Sequence, residues 1–229
     1  MILMRDYNYS QYIELIERID DEILQKHMKK EIEVIRNVED SKNKTFIDLG
    51  AGYGRVLPLI SKIARNVISI DINPDMIIEL KKRSEKYDNA KVITEDFSNL
   101  EVIVENEDIK NPVLISLQNT IGTVEGNYMD LLSNMKNVAE KYNGEIIISF
   151  FRQESLKTWG MDLYPKLKEM LGEPDLDKID FEKGIMVTKN GYISKWRNVI
   201  EIEKIKKYFG GKVINEVITP EFYIFHIKF

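Results

Sequence analysis

Apolar residues come in short blocks that alternate with amphipathic stretches along most of this chain. Thr45-Phe46-Ile47-Asp48-Leu49 and Asn66-Val67-Ile68-Ser69-Ile70-Asp71 are too short for helices and rich in β-branched residues. The pattern predicts strands over 45–49, 66–71, 90–94, 112–118 and 144–151, with helices over 54–64, 74–87 and 126–142. Such alternation predicts a parallel sheet with helices on both faces. Upstream, Tyr9, Tyr12, Ile13, Ile16 and Ile19 recur at helical spacing, predicting helix over 8–37 with a division at Asp20-Asp21. Residues 98–111 hold an acidic run that reads as a solvated face.

After the fifth strand the rhythm changes. Leu156, Trp159, Leu163, Leu167 and Met170 predict a helix over 153–171, ended by Gly172 and Pro174. Asn190-Gly191 between alternating residues predicts a hairpin over 185–196. A helix over 200–209 and strands over 212–218 and 222–229 follow. The expected sheet is seven-stranded, mostly parallel and doubly wound, with an antiparallel last strand. Residues 1–40 form an N-terminal helical cap on the single domain, and 152–198 a lid-like insertion. Both are expected over the carboxyl ends of the strands, where open α/β sheets bind ligands.

Candidate chemistry begins at Asp48-Leu49-Gly50-Ala51-Gly52-Tyr53-Gly54-Arg55. A strand ends in an acid and breaks into alternating glycines. Glycine reaches positive φ and lets a ligand approach the backbone. A dinucleotide fingerprint would read G-x-G-x-x-G, and Arg55 stands where its third glycine belongs. A purely structural turn is the blander reading. Asp71, at the tip of the second strand and about twenty residues past Gly50, can accept hydrogen bonds from ribose hydroxyls. Asn73 before Pro74 is the better helix cap, which leaves Asp71 free. Glu95-Asp96-Phe97 follows the third strand. There a carboxylate can take an exocyclic amine, and the ring can pack on a purine.

In this order the motifs resemble those of class I S-adenosylmethionine (SAM) dependent methyltransferases, over roughly residues 40–150. Asp48–Arg55 matches that family's first motif, Ser69-Ile70-Asp71 the second and Glu95-Asp96-Phe97 the third. Pro112–Asn119 matches the fourth strand, whose end faces the methyl donor. The resemblance assigns Asp48, Gly50, Ala51, Gly52, Gly54, Asp71, Ile72, Asp96, Phe97, Gln118, Asn119 and Tyr9 to SAM and its product S-adenosylhomocysteine. Asp48 orients the loop or faces the methionine ammonium, Asp71 holds the ribose, and Asp96 and Phe97 address adenine. Gln118 and Asn119 lie nearest the sulfonium, and Tyr7, Tyr9 and Tyr12 either close over the cofactor or pack as a helix face on the domain. Arg152 and Arg197 are candidate substrate clamps for a carboxylate or phosphate, a surface ion pair being the blander reading of each. No residue is assigned as catalytic base.

Composition narrows the partners. The chain of 229 residues has 43% apolar and 31% charged residues, as a globular protein should. It has no apolar stretch that spans a bilayer and a start without a signal-peptide core, so a cytoplasmic, membrane-free enzyme is expected. With no cysteine and two histidines, a thiolate metal site or a Ser-His-Asp triad is not expected, and no metal is assigned. His226 reads as structural and His27 as a surface residue. A net charge of −5 argues against a broad grip on nucleic acid. Asn119-Thr120-Ile121-Gly122 resembles the corresponding stretch of small-molecule methyltransferases, and a methyl acceptor of that kind, modified at N or O, is the expectation. The alternatives are an RNA or protein methyltransferase, a non-catalytic SAM-binding module and a nicotinamide-dependent oxidoreductase. The oligomeric state is not legible.

Overall fold

The computed structural model describes residues 16, 18–124 and 126–229. Tyr7, Tyr9 and Tyr12 lie outside the described residues.

Seven strands form one sheet: β1 (Thr45–Leu49), β2 (Asn66–Asp71), β3 (Ala90–Thr94), β4 (Val113–Ser116), β5 (Glu145–Phe151), β8 (Lys212–Ile218) and β9 (Phe222–Lys228). Their order is β3-β2-β1-β4-β5-β9-β8. The first five pair in parallel, and β9 runs antiparallel between β5 and β8. A separate hairpin joins β6 (Ile185–Val187) and β7 (Ile193–Lys195). The sheet expected from the sequence is therefore present, including the inserted last strand.

Strands β1 and β5 are buried along their whole length, because helices cover both faces. On one face Ile47, Leu49, Leu114, Ile146 and Phe225 pack against α4 (Leu100–Glu105), α5 (Tyr128–Lys141) and α8 (Val199–Phe209). On the other, Phe46, Val67, Val113, Ile147 and Ile224 meet α1 (Glu22–Arg36), α2 (Leu57–Ile63) and α3 (Pro74–Ser84). Alternate strand residues serve opposite faces, as the pleat requires.

Three expectations need correction. Residues 98–111 are not simply a solvated face: Leu100, Ile103 and Val104 of α4 are buried in the core. The segment 153–171 is not one helix. It passes through wide turns at Leu156–Gly160, then α6 (Met161–Lys166) and α7 (Lys168–Leu171), with Pro165 inside α6. Pro165 lacks the N–H that a continuous ladder needs. His27 is not on the surface but fully buried between the rings of Phe151 and Phe222. The other histidine, His226, is structural as expected, with Nε2 2.8 Å from buried Glu145.

A third core lies apart from both sheet faces. Ile19, Leu24 and Met28 join Phe151, Leu156, Trp159, Leu163, Met186 and Trp196. The chain does break before α1, where Asp21 is the N-cap. Asp21 also accepts from Trp159 Nε1 at 3.1 Å and Lys166 Nζ at 2.9 Å, which ties the insertion to the N-terminal segment.

Candidate cofactor and substrate site

The glycine turn leaves β1 at its carboxyl end. Gly50, Gly52 and Gly54 all have positive φ, of 71°, 55° and 81°. A Cβ on Gly50 would lie 2.5 Å from Thr120 Cγ2, so only glycine lets the turn after β4 come this close. A Cβ on Gly52 would meet only Met76 Sδ, at 3.9 Å. That side of the turn is open. Ala51 N–H donates to Ile70 O and anchors the turn on β2.

Register brings the acids together. Asp48 pairs with Ser69 of β2 and Ile115 of β4, at the point where the chain order reverses. Ligands in open α/β sheets bind at such switch points. Asp71 ends the neighbouring strand. Its Oδ2 accepts from Gly52 N–H at 2.7 Å, and its Oδ1 from Asn73 N–H at 2.8 Å. Asn73 caps α3 as expected, accepting from Asp75 N–H and Met76 N–H. Asp71 is nevertheless not free: both oxygens shape the loop, each with acceptor capacity to spare. Ile72 beside it is 58% exposed, an apolar surface at the mouth of the site. Asp96 and Phe97 are half-buried after β3, and Phe97 Cε1 lies 3.6 Å from the Cβ position of Gly50.

Two consecutive residues past β4, Gln118 and Asn119, have positive φ of 49° and 59°. Such backbone costs on the order of 1–3 kcal/mol per residue and persists where surroundings hold it. Two contacts hold it here. Gln118 N–H donates to Glu31 Oε1 at 2.7 Å. Asn119, 1% exposed, donates from Nδ2 to Ser194 Oγ at 3.1 Å and Lys195 O at 3.2 Å, and accepts from Phe151 N–H. The Asn119 side chain thus fastens the hairpin to the strand ends.

Glu31 was not among the residues singled out from the sequence. It is fully buried in α1 and also takes the Ser149 hydroxyl and the Arg55 guanidinium. One carboxylate therefore joins the glycine turn, the β4 exit and β5. Burial works against its charge, but His27, Arg55, Ser149 and Gln118 outweigh that and hold its pKa below the ordinary glutamate range. The signal was present: Leu24, His27, Met28, Glu31, Val34 and Ile35 share the buried stripe of one helix. A polar residue inside such a stripe needs a buried partner. Burial pushes the His27 pKa down, with Glu31 opposing the shift and Arg55 adding to it.

Asp48 is also buried, and burial pushes its pKa up to about 7. Arg55 opposes the rise, while Asp71 and Glu31 add to it. A carboxyl so placed gains by receiving a positive ligand group.

The two candidate arginines differ. Arg152 donates to Thr219 O at 2.6 Å and pairs with Glu154 at 3.3 Å, so its contacts are structural. Arg197 is 2% exposed. Its guanidinium stacks 4.4 Å from the Tyr128 ring centre and 5.7 Å from that of Phe150. Nη2 reaches Ile121 O at 3.5 Å, while Nε and Nη1 have no hydrogen-bond partner among the described residues. Burial lowers its pKa. A desolvated cation gains about 2 kcal/mol from a ring face. Desolvating the ion costs several kcal/mol. The stack does not cover the cost.

The arrangement fits the cofactor implied by the motifs. A glycine turn with an open side, carboxylates at or just past the ends of three neighbouring strands and the apolar residues Ile72 and Phe97 gather at the carboxyl edge of the sheet. Among the described residues no group of His, Cys, Asp and Glu is placed to hold a metal ion.

Comparisons with known proteins agree with this geometry. A family model described as a methyltransferase domain matches residues 40–201. A protein of Methanobrevibacter smithii, described as a probable cobalt-precorrin-6B C(15)-methyltransferase (decarboxylating), is 26% identical over 147 residues, covering 62% of this chain and 70% of its own. A SAM-dependent methyltransferase of Clostridium acetobutylicum superposes with TM-score 0.64 at 15% identity, over 96% of this chain and 98% of the other. The Burkholderia thailandensis 1,6-didemethyltoxoflavin-N1-methyltransferase, solved with its substrate and S-adenosylhomocysteine, gives 0.58 at 10% identity, over 96% and 86%. The chain belongs to the methyltransferase-domain family and is a class I SAM-dependent methyltransferase.

Proposed function

We propose that this enzyme methylates N or O of a small molecule in the cytoplasm. One observation carries the reading: a third core joins the end of β5 to the 156–196 segment, and Asn119, just past β4, holds its hairpin. A lid of this kind suits an enclosed acceptor. The named substrates of the Methanobrevibacter and Burkholderia relatives are small molecules, which supports the same choice. The net charge of −5 gives no general attraction to RNA. Among the described residues no helix is long and apolar enough to cross a membrane.

When bound, SAM supplies a methyl group already activated on a sulfonium. The chain's part is alignment, closeness and exclusion of water. Asp48 sits where it can face the ammonium, Asp71 the ribose hydroxyls, and Asp96 with Ile72 and Phe97 the adenine. Gly50, Ala51, Gly52 and Gly54 shape the cradle. Gln118 and Asn119 keep the β4 exit in its unusual backbone, close to the reacting centre. Residues 152–198, with Ile19, Leu24 and Met28, form the lid.

Calorimetry with SAM and S-adenosylhomocysteine tests the cofactor contacts. Asp71→Ala is expected to weaken both by about tenfold or more, since bonds to a charged acceptor contribute about 1.5–3 kcal/mol each. Unchanged affinity in a folded variant would remove the ribose assignment. Gly52→Val should fail to bind, because at a φ of 55° a branched side chain both strains the turn and fills the open side of the cradle, and its thermal unfolding checks that the domain still folds. Normal binding there would displace the cofactor from the turn. Product release from a panel of small amines, alcohols and acids, set against RNA and protein acceptors, tests the substrate class. Turnover confined to RNA or protein would refute it.

A further inference from the structure

We propose that Arg197 is the receptor for a carboxylate on the methyl acceptor, so that the substrate of this enzyme is a small monocarboxylic acid. The inference rests on the methyl-transfer reading of the cleft and names the class of molecule that enters it.

Among the described residues Arg197 is the buried cation for which the structure supplies no anion. Buried Lys44, by contrast, pairs with Glu145. Three of the five N–H donors of a guanidinium belong to Nε and Nη1, and these are the atoms without acceptors. Tyr128 supports the Arg197 charge electrostatically and through its hydroxyl, and Glu201 electrostatically, but neither is an ion-pair partner. The Glu201 oxygens cap α8 through Asn198 N–H and pair with Lys195 at 3.3 Å.

The position suits an acceptor. The Arg197 backbone is fixed to the end of β5, its N–H donating to Phe151 O at 3.0 Å. Its Nη2 lies against Ile121 O, and Thr120, one residue earlier, lies against Gly50. A single turn thus separates the guanidinium from the cofactor cradle. The surroundings are aromatic: the guanidinium lies over the ring of Tyr128 and, farther off, that of Phe150. One buried positive charge is neutralised by one negative charge. A carboxylate meets that requirement, whereas a phosphate monoester would leave excess negative charge in an apolar corner. The guanidinium fork also matches a planar carboxylate.

The test uses the full chain saturated with S-adenosylhomocysteine. Thermal unfolding is read with acetate, glycolate, glycine and benzoate, each against its neutral amide. At least one acid should raise Tm by two degrees or more where its amide does not, as ligand linkage requires. The shift should vanish in Arg197→Met and persist, weakened, in Arg197→Lys. Without acid, Arg197→Met should melt at or above the parent temperature, since it removes an uncompensated charge. No difference between acids and amides, or a difference that survives in Arg197→Met, would overturn the proposal. So would a loss of Tm in Arg197→Met without acid, which would make the arginine a packing element. The shift given by S-adenosylhomocysteine alone is read separately in both proteins. Its absence would count against the cofactor reading, whatever the acids do.

Discussion

Asp48 shows how one residue carries the electrostatics of the site. Its carboxyl is buried beside Arg55, Asp71 and Glu31, and its pKa of about 7 leaves it half ionised near neutrality. A cationic group binds the ionised form. Affinity for SAM should therefore rise as pH rises through about 7, by at most about tenfold per unit below that point, and level off above it. Asp48→Asn should bind more weakly at pH 7.5 and lose most of this dependence. Calorimetry at pH 5.5, 6.5 and 7.5 on both proteins checks it. A parent protein whose affinity does not change over this range would mean that Asp48 does not face the cation. Asp71 is a second case of a residue with two duties, since the acid assigned to ribose also accepts from Gly52 N–H and Asn73 N–H. Aspartate at a strand end was legible as a candidate for a ligand contact; its use in shaping the loop needed the folded turn.

At the scale of elements, α1 does more than cover the sheet. Val34 and Ile35 pack on the face with α2 and α3, while Leu24 and Met28 belong to the third core. Glu31, between them, holds Arg55, Gln118 and Ser149 together. Glu31→Ala would leave a mostly buried arginine, a backbone N–H and a hydroxyl without their acceptor. Removing one partner of a buried pair costs about 3–5 kcal/mol. Denaturant unfolding should show that loss, and SAM affinity should fall with it because the β4 exit is released. If stability drops and affinity holds, Glu31 supports the fold without positioning the site. The helix-face pattern that would have exposed Glu31 was present, yet a helix of such mixed charge invites a surface reading. The same reasoning explains His27, whose neighbours on the stripe are buried. The break-up of 153–171 was partly signalled by Pro165, although its wide turns at Leu156–Gly160 carry no sequence mark that distinguishes them from α-helix.

The whole molecule divides into a doubly wound sheet and a third core beyond the strand ends. Trp196 stands at the centre of the latter, fully buried with Phe151 at 5.0 Å and Trp159 at 5.2 Å between ring centres. The third core is smaller than either sheet layer and joins segments far apart in sequence. It should open at lower free energy than the sheet, as local units do. Hydrogen exchange should show the amides of β6 and β7 less protected than those of β1, β4 and β5. S-adenosylhomocysteine should raise protection in the hairpin, since Asn119 links it to the cleft. Equal protection throughout, with or without ligand, would argue against a lid. Trp196→Ala, at about 3–5 kcal/mol, should widen the gap.

By itself the sequence determined the order of the strands and of the helices other than α4 and the 153–171 segment, the glycine turn, the acids near three strand ends and the resemblance they carry. These are local signals: periodicity, caps and turn residues act over a few positions, and a glycine turn must be glycine wherever it stands. Only the tertiary structure decided which charges are compensated. Glu31, Arg55 and Asp48 meet across segments far apart in the chain, and Asn119 meets the hairpin beyond β5. Arg152 and Arg197 read alike as arginines near the end of a strand, yet one is spent on Thr219 and Glu154 and the other lies buried with donors unmet. Burial and partnership depend on what the remote parts of the chain bring to a point. No local pattern contains that information.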